Sequence, residues 1–315
     1  MSLERTAIVI ANPGARRAIA PHVLDAAAEA IRARGWDVRV EVATDRLDAR
    51  VRAERHTRAG VGVLLACGGD GSLLPLLNGV RDAGDEVATA VGLIPAGTAN
   101  VWAAEAGIPR DPADAFALLE SGERRRIDLG VARIGEGAAV RFLLVCGAGL
   151  DAAVVEAVER RPHWKRRLGR LAFGPSALAA LVGWPPIEAR VAVDGVEVRT
   201  PQLLLALAAN TSRYGGVATL ALRSQLDDGL LEVTTFEGDR SLSARLALVL
   251  DAVRGRLDER VVRGVSHRQA SRVTITPSRA LPVELDGESF GRCGPDAPLH
   301  IDVEQRAVTM IMGAR

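Results

Sequence analysis

The chain has 315 residues, of which 48% are hydrophobic and 25% charged, with a formal net charge of +1. This composition is typical of one large or two ordinary folded domains and excludes a mainly disordered chain. A charge so near zero gives no general attraction to nucleic acid, and the single lysine, Lys165, lies in no Gly-Lys-Ser/Thr motif, which excludes a P-loop nucleotide site.

The first 128 residues alternate short apolar runs with segments of helical periodicity. Apolar or alternating runs predict strands, and segments with one apolar face predict helices. The predicted elements are strands at Thr6–Ala11, Trp36–Ala43, Val61–Cys67 and Val91–Pro95, and helices at Pro21–Arg34, Arg46–Ala59, Ser72–Arg81 and Pro112–Leu119. Such alternation predicts a parallel sheet covered by helices on both faces.

After Arg126 the sequence changes to short alternating runs separated by turn residues, which predicts a mostly antiparallel sandwich or barrel. The predicted strands are Ile127–Ile134, Val140–Cys146, Ile187–Val193, Gln202–Ala208, Leu230–Phe236, Ser271–Thr276, Leu281–Leu285, Pro298–Val303 and Ala307–Met312. The predicted helices between them are Ala152–Arg160, Arg166–Val182 and Leu242–Leu257.

The motif Cys67-Gly-Gly-Asp-Gly-Ser72 directly follows a predicted buried strand and precedes a helix. Its glycines let the backbone turn tightly and approach a ligand closely. The unpaired amides and positive dipole end of the following helix can bind a phosphate without a lysine. Asp70 suits a Mg²⁺ ion that bridges to that phosphate, or a hydroxyl donor; the alternative is that it only caps the helix that follows.

A second loop of this type, Pro95-Ala-Gly-Thr-Ala-Asn100, follows the next strand, and Asn12 and Thr44 follow the first two. Thr98 and Asn100 can donate to anionic or sugar oxygens, or can cap a helix. Because ligands of open α/β sheets bind at the carboxyl ends of the strands, the loops predict a polyphosphate nucleotide along one edge. The first loop lacks Gly-x-Gly-x-x-Gly, which disfavours a nicotinamide-dependent dehydrogenase.

These motifs and four later ones resemble the diacylglycerol kinase and sphingosine kinase catalytic family, especially its bacterial lipid kinase branch. The later motifs are Gly147-Ala-Gly-Leu-Asp151, Asn210–Gly216, Leu226-Asp-Asp-Gly-Leu230 and Leu285-Asp-Gly-Glu288. NAD kinases share the Gly-Gly-Asp-Gly loop but lack the last two patterns. The chain departs from the family in two places: the first loop has no serine, and Val101 stands where many members have aspartate.

The resemblance implies a kinase that uses ATP and Mg²⁺ to phosphorylate a lipid hydroxyl. It implies an NAD-kinase-like α/β nucleotide-binding domain (residues 1–128 with the tail 304–315) and a β-sandwich lipid domain with inserted helices (residues 129–303). The nucleotide contacts that it implies are Asn12, Thr44, Gly68, Gly69, Asp70, Gly71, Ser72 and Thr98, beside which Asn100 is a candidate from the residues alone.

The same resemblance implies catalytic and metal-binding residues in the second domain. Asp286 and Glu288 match the block that supplies the general base, and nothing in the sequence chooses between them; an Asp-Gly hairpin turn is the alternative. Asp228, with the main-chain carbonyls of Gln225 and Leu230, matches a structural Mg²⁺ site, although from the residues alone a plain turn is equally consistent.

The stretch Arg160–Phe173 combines dense arginines with apolar residues such as Trp164. We expect it to adsorb to an anionic bilayer, where a lipid substrate would be met; a solvated helix face is the alternative. Two other functions remain open: an NAD-kinase-like enzyme with a soluble acceptor, and a non-catalytic relative that binds nucleotide or lipid. Nucleic acid is disfavoured as a partner, and sandwich edge strands are compatible with a homodimer.

The three cysteines, Cys67, Cys146 and Cys293, are far apart and form no Cys-x-x-Cys motif. They predict neither a disulfide framework nor a cysteine zinc site, and they fit a reducing compartment. The first apolar run is short for a signal peptide, and no stretch approaches the roughly 20 apolar residues of a membrane-spanning helix. We therefore expect a cytoplasmic protein, peripheral at the inner face of the membrane.

Overall fold

A computed structural model describes residues 5–12, 19–85, 87–160, 184–185, 187–214, 218–219, 224–238 and 264–313 of the chain. The chain divides into two units. Unit 1 comprises residues 1–127 and 306–315, and unit 2 comprises residues 128–305. The predicted helices Arg166–Val182 and Leu242–Leu257, and most of the basic stretch Arg160–Phe173, lie outside the described residues.

Unit 1 alternates strands and helices in the order that the sequence predicts. Its elements are β1 (Thr6–Ala11), α1 (Pro21–Arg32), β2 (Asp37–Val42), α2 (Arg46–Arg58), β3 (Val63–Gly68), α3 (Asp70–Ala83), β4 (Ala90–Pro95), α4 (Val101–Glu105) and α5 (Pro112–Ser121). Two long strands, β5 (Glu123–Ile134) and β17 (Leu299–Met312), belong to unit 1 at one end and to unit 2 at the other.

The sheet of unit 1 has the strand order β2-β1-β3-β4-β17. The four pairings are all parallel, as the continuous apolar runs predict. β1, β3 and β4 are buried along their whole length, whereas β2 at the edge is only partly buried. Apolar side chains of α1 and α3, such as Leu24 and Leu77, complete the core at 0% exposure.

Unit 2 is built mostly from antiparallel strands. Beyond β5, its elements are β6 (Val140–Phe142), β7 (Val145–Gly149), α6 (Leu150–Glu159), β8 (Ile187–Val193), β9 (Val196–Ala209), β10 (Arg213–Tyr214), β11 (Ala218–Thr219), β12 (Leu231–Glu237), β13 (Val265–Ala270), β14 (Arg272–Pro277), β15 (Leu281–Leu285) and β16 (Glu288–Cys293), followed by β17.

In unit 2 the main path of paired strands is β16-β15-β7-β9-β8-β14-β17, and β12 joins β9 to β13. The pairings from β16 to β17 are all antiparallel. Their inward side chains form one apolar cluster that includes Phe142, Leu203 and Val283, each 0% exposed. The alternation of polar and apolar residues in β8 predicts this arrangement, since its odd positions face the cluster.

The prediction of one strand over Val140–Cys146 is wrong, because the structure separates β6 from β7 at Leu143 and Leu144. The amides of these two residues donate to the carboxylate of Asp286, at 2.8 Å each. An uninterrupted ladder would need those amides for a neighbouring strand. The two predicted strands at Pro298–Val303 and Ala307–Met312 are instead parts of the single strand β17.

Candidate active site

Four loops of unit 1 follow strands that lie side by side in a parallel sheet. In sheet order, they contain Thr44 after β2, Asn12 after β1, residues 68–72 after β3 and residues 96–100 after β4. Because all four strands run in the same direction, the loops share the carboxyl edge of the sheet. The structure thus brings the predicted nucleotide-contacting residues of unit 1 to one edge.

The glycine loop after β3 leads directly into α3. Gly69 is the N-cap residue, and α3 begins at Asp70 rather than at Ser72. Gly71 is exposed, whereas the side chain of Ser72 is buried and accepts a hydrogen bond from Asn12 Nδ2 at 3.3 Å. The first turn of a 14-residue helix therefore directs unpaired amides and the positive end of its dipole at this edge.

The carboxylate of Asp70 connects the glycine loop to the next loop. Its Oδ2 accepts a hydrogen bond from the amide of Val101 at 3.0 Å, and its Oδ1 accepts one from the amide of Trp102 at 2.9 Å. Both amides belong to the first turn of α4, so Asp70 caps α4 and not its own helix. The alternative that Asp70 only caps the helix directly after its own loop is therefore wrong in its partner, and the expected Mg²⁺ role stays a prediction.

Gly69 and Gly97 bring the two loops into direct contact. A Cβ on Gly97 would lie 2.5 Å from the Cα of Gly69, closer than real Cβ atoms come to backbone. The side chain of Asn100 holds this loop through two hydrogen bonds. Its Oδ1 accepts the amide of Gly97 at 3.0 Å, and its Nδ2 donates to the carbonyl of Gly97 at 3.1 Å. Asn100 has a φ of 49° and is 7% exposed, so its amide group supports the loop from the interior.

Thr98 is exposed at the tip of the second loop, and Thr44 is exposed at the end of β2. The amide and hydroxyl of Thr44 both donate to Asp48, at 2.8 and 3.3 Å. A cleft beside Asn12 and Ser72 is lined by the polar residues Asp45 and Arg46. Thr98 is thus exposed at the sheet edge, whereas both donors of Thr44 are engaged by Asp48, and the nucleotide contacts of these two residues remain predicted.

Cys67 ends the buried part of β3 next to the glycine loop. Burial raises the pKa of its thiol to about 11, because a thiolate would lose its hydration there. The residue therefore stays a neutral thiol near neutral pH, and we assign it no chemical role.

In unit 2, Asp286 lies at the tip of the hairpin between β15 and β16. Its carboxylate accepts three amide hydrogen bonds, from Leu143 at 2.8 Å, Leu144 at 2.8 Å and Val145 at 3.0 Å. Amide donors of this kind stabilise the ionised carboxylate. Glu288, the other candidate base, is exposed on the far side of the same turn. The structure therefore separates the two carboxylates: one is held by the backbone and the other faces solvent.

Glu284 and Asp151 form an acidic pair beside this turn, and sequence reasoning gave neither of them a role. Glu284 is 1% exposed, and its Oε2 accepts the amide of Gly287 at 2.6 Å. Burial raises the pKa of Glu284 well above its usual value, and the nearby carboxylate of Asp151 adds to the rise. The signal that could have found the pair is the glycine at position 147, which leaves room for both carboxyl groups.

The predicted metal-binding turn also lies in unit 2. Gln225 and Asp228 are exposed and Leu230 is half-buried. Asp228 Oδ1 accepts the amide of Leu230 at 3.0 Å, and the amide of Gly229 between them donates to the buried Asp128 at 2.7 Å. Within the described ranges no three His, Cys, Asp or Glu side chains converge as metal ligands. The predicted set of one carboxylate and two carbonyls offers the hard oxygens that Mg²⁺ takes, and it stays a prediction.

No helix among the described residues is both long and apolar enough to cross a membrane. Residues 6–132 match the family model of the diacylglycerol kinase catalytic domain. Residues 144–312 match the model of the YegS C-terminal NAD kinase beta sandwich-like domain. The two models together cover parts of both units, in the order that the motifs of the sequence predict.

The chain is similar to a diacylglycerol kinase of Mycobacterium tuberculosis, with 30% identity over 281 residues that span 88% of this chain and 84% of the relative. It is similar to a "Probable lipid kinase YegS-like" protein of Pseudomonas fluorescens, with 32% identity over 84% of this chain and 83% of the relative. Its fold resembles the crystal structure of a diacylglycerol kinase from Bacillus anthracis, with a TM-score of 0.72 and 18% identity over 98% of this chain and 97% of that one. The chain therefore belongs to the diacylglycerol kinase family of lipid kinases.

Proposed function

We propose that this chain transfers the γ-phosphoryl group of ATP to the hydroxyl group of a diacylglycerol-like or sphingoid-like lipid. The observation that carries the proposal is the pair of glycine loops at the carboxyl edge of the parallel sheet, joined by Asp70 and by the contact between Gly69 and Gly97. Such an edge offers backbone amides to a polyphosphate without needing a lysine.

Phosphoryl transfer depends chiefly on positioning and on neutralising negative charge. The amides of residues 69–71 and the positive end of α3 bind the phosphates from one side, and the exposed Thr98 donates from the neighbouring loop. A Mg²⁺ ion bound with ATP would supply positive charge against the negative charge that develops during transfer. Asp70 fits this ion because its carboxylate is fixed in orientation by two amides and keeps further lone pairs.

The proton of the attacking hydroxyl goes to a carboxylate of the hairpin turn in unit 2. Three amide donors hold the carboxylate of Asp286 and fix the turn, whereas Glu288 is exposed on the same turn. The contacts thus favour Glu288 as proton acceptor and Asp286 as the residue that shapes the turn. Glu288→Gln should lower kcat far more than it changes the KM for ATP.

A lipid acceptor is supported by the names of the relatives, which are diacylglycerol and lipid kinases. The arginine-rich stretch 160–173 would bring the enzyme to the anionic inner face of the membrane, where such an acceptor lies. A soluble acceptor is the alternative that the assay below separates from it.

The test is phosphoryl transfer from radiolabelled ATP to a panel of lipids in mixed micelles and to soluble alcohols, including NAD. We expect a labelled lipid product that requires Mg²⁺. Asp82→Asn serves as the matched control for changes at Asp70, since Asp82 lies at the other end of α3 in a surface ion pair with Arg50. Labelling of NAD alone would contradict the lipid proposal, and labelling of no acceptor would contradict catalysis.

A further inference from the structure

The carboxyl group of Glu284 is buried inside unit 2, in strand β15, at 1% exposure. Every other residue of β15 is apolar and also buried. A carboxyl group at such a position is costly unless its polar atoms have partners. Glu284 Oε2 has one, the amide of Gly287 at 2.6 Å, in the middle of the turn that carries Asp286 and Glu288. The side chain therefore holds this turn from beneath.

The second oxygen of Glu284 faces Asp151, which comes from the first turn of α6. Glu284 Oε1 and Asp151 Oδ2 both lie beside Gly147 on β7, where a Cβ would project, and the two side chains are hydrogen-bonded. A Cβ on Gly147 would lie 2.7 Å from Glu284 Oε1 and closer still to Asp151 Oδ2. Only glycine at this position of β7 leaves room for the pair.

Two carboxyl groups can share a hydrogen bond only when one of them carries a proton. Among the residues that the structure describes, the titratable groups that face Glu284 are Asp151 from α6, Asp286 from the turn and the thiol of Cys146 from β7. None of these three can carry a positive charge that would stabilise an ionised Glu284. Burial raises the pKa of Glu284 for the same reason, and the two neighbouring carboxylates raise it further.

We propose that Glu284 is a positioning residue: it donates a hydrogen bond to Asp151, accepts the amide of Gly287, and so fixes the Asp286–Glu288 turn against α6. This inference rests on the proposed function of that turn. Two more contacts join the same elements, since Arg292 on β16 pairs with Glu156 at 2.6 Å and the amide of Ser289 donates to Glu159 at 3.3 Å. The paired carboxyl groups add a buried polar contact between α6 and the hairpin.

The proposal predicts a dependence on pH with a definite sign. In the unfolded chain Glu284 releases its proton near pH 4.3, whereas in the folded chain it keeps the proton to a higher pH. Its contribution to stability is complete below the unfolded value and is lost as the pH rises through the folded value. As the pH rises through the folded value, the ionised pair repels, the turn loosens, and kcat falls with it.

The variants Glu284→Gln and Glu284→Ala test the proposal. Glutamine keeps a donor for Asp151 and an acceptor for Gly287 without titrating. The melting temperature and kcat of Glu284→Gln should therefore not fall with rising pH as those of the wild type do. Alanine removes both bonds, so kcat should fall roughly tenfold to a hundredfold while the KM for ATP changes little. Hydrogen exchange of the Gly287 amide should accelerate in Glu284→Ala only.

Glu232→Gln is the matched control, because Glu232 is also a buried glutamate of unit 2 and its neighbour is the imidazole of His267 on β13, at 3.5 Å. We expect Glu232→Gln to show the same fall in melting temperature and kcat with rising pH as the wild type, and to keep the Gly287 amide protected from exchange. If the melting temperature and kcat of Glu284→Gln fall with rising pH as much as those of the wild type, the proposal of a protonated Glu284 is overturned. A Glu284→Ala variant with unchanged kcat and unchanged Gly287 exchange would overturn the positioning role.

Failure of the proposed function gives a different result. If the wild type labels no lipid, the kinase proposal fails, but the pH dependence of the melting temperature and the exchange of the Gly287 amide still decide whether Glu284 holds the turn. If the wild type labels a lipid but the Glu284 variants give the results that overturn the positioning role, the kinase proposal stands and only that role is rejected.

Discussion

Replacing Asp70 by alanine removes the acceptor of two amides at the start of α4. The residues that carry these amides, Val101 and Trp102, are 4% and 0% exposed, so water has little access to them. Hydrogen bonds to a charged group contribute about 1.5–3 kcal/mol each, and partial resolvation of the half-buried Asp70 position recovers some of that. We therefore expect Asp70→Ala to lower the free energy of unfolding by about 2–4 kcal/mol.

That loss corresponds to a fall in melting temperature of roughly 5–15 °C in a domain of this size, which scanning calorimetry resolves easily. Asp70→Asn keeps one acceptor oxygen and should lose about half as much. Asp82→Asn, which breaks only a surface ion pair with Arg50, should lose less than about 1 kcal/mol.

The same variants separate capping from catalysis when activity is assayed well below every melting temperature. If Asp70 also organises Mg²⁺-ATP, Asp70→Asn should reduce kcat at least about 10²-fold and shift the Mg²⁺ dependence, although it remains folded. An unchanged melting temperature in Asp70→Ala would refute the capping argument. A folded Asp70→Asn variant with wild-type activity at every Mg²⁺ concentration would refute the nucleotide role.

Three further variants test other parts of the account. Gly97→Ala places a Cβ 2.5 Å from the backbone of the neighbouring glycine loop, so it should raise the KM for ATP roughly fivefold to a hundredfold, as steady-state kinetics would measure. Asp286→Asn weakens three amide hydrogen bonds and should lower stability by at least about 2 kcal/mol in denaturant titrations, and an unchanged midpoint would contradict that. Neutralising Arg166, Arg167 and Arg170 should weaken binding to anionic vesicles in a salt-dependent way, and salt-independent binding at wild-type strength would remove the membrane contact from this stretch.

Much of unit 1 could be predicted from its sequence because its signals are local. β1, β3 and β4 are continuous apolar runs, and each ends at a glycine or polar loop that interrupts it. Parallel pairing then requires the loops to share one edge, so the sheet placed Asn12, Thr44 and the glycine loops together without further information.

The contacts that define the two turns could not be predicted, because they join residues far apart in the sequence. From the sequence, the helix that Asp70 could cap is α3, which follows its own loop. In the structure its amide partners begin α4 instead, 31 residues later. Glu284 reaches Asp151 only because the antiparallel register of β15 and β7 sets Glu284 opposite Gly147. Amphipathic periodicity carries no information on such pairings, which depend on strand order and register.

The central claim is that main-chain amides of the glycine loops in unit 1 hold the triphosphate. Selective ¹⁵N-glycine labelling, followed by titration with Mg²⁺ and a non-hydrolysable ATP analogue, tests it directly. The account predicts large amide shifts at Gly69, Gly71 and Gly97, smaller shifts with AMP, and none at Gly195 in a distant hairpin turn of unit 2. Saturating ATP analogue that leaves the three loop glycines unshifted would contradict it.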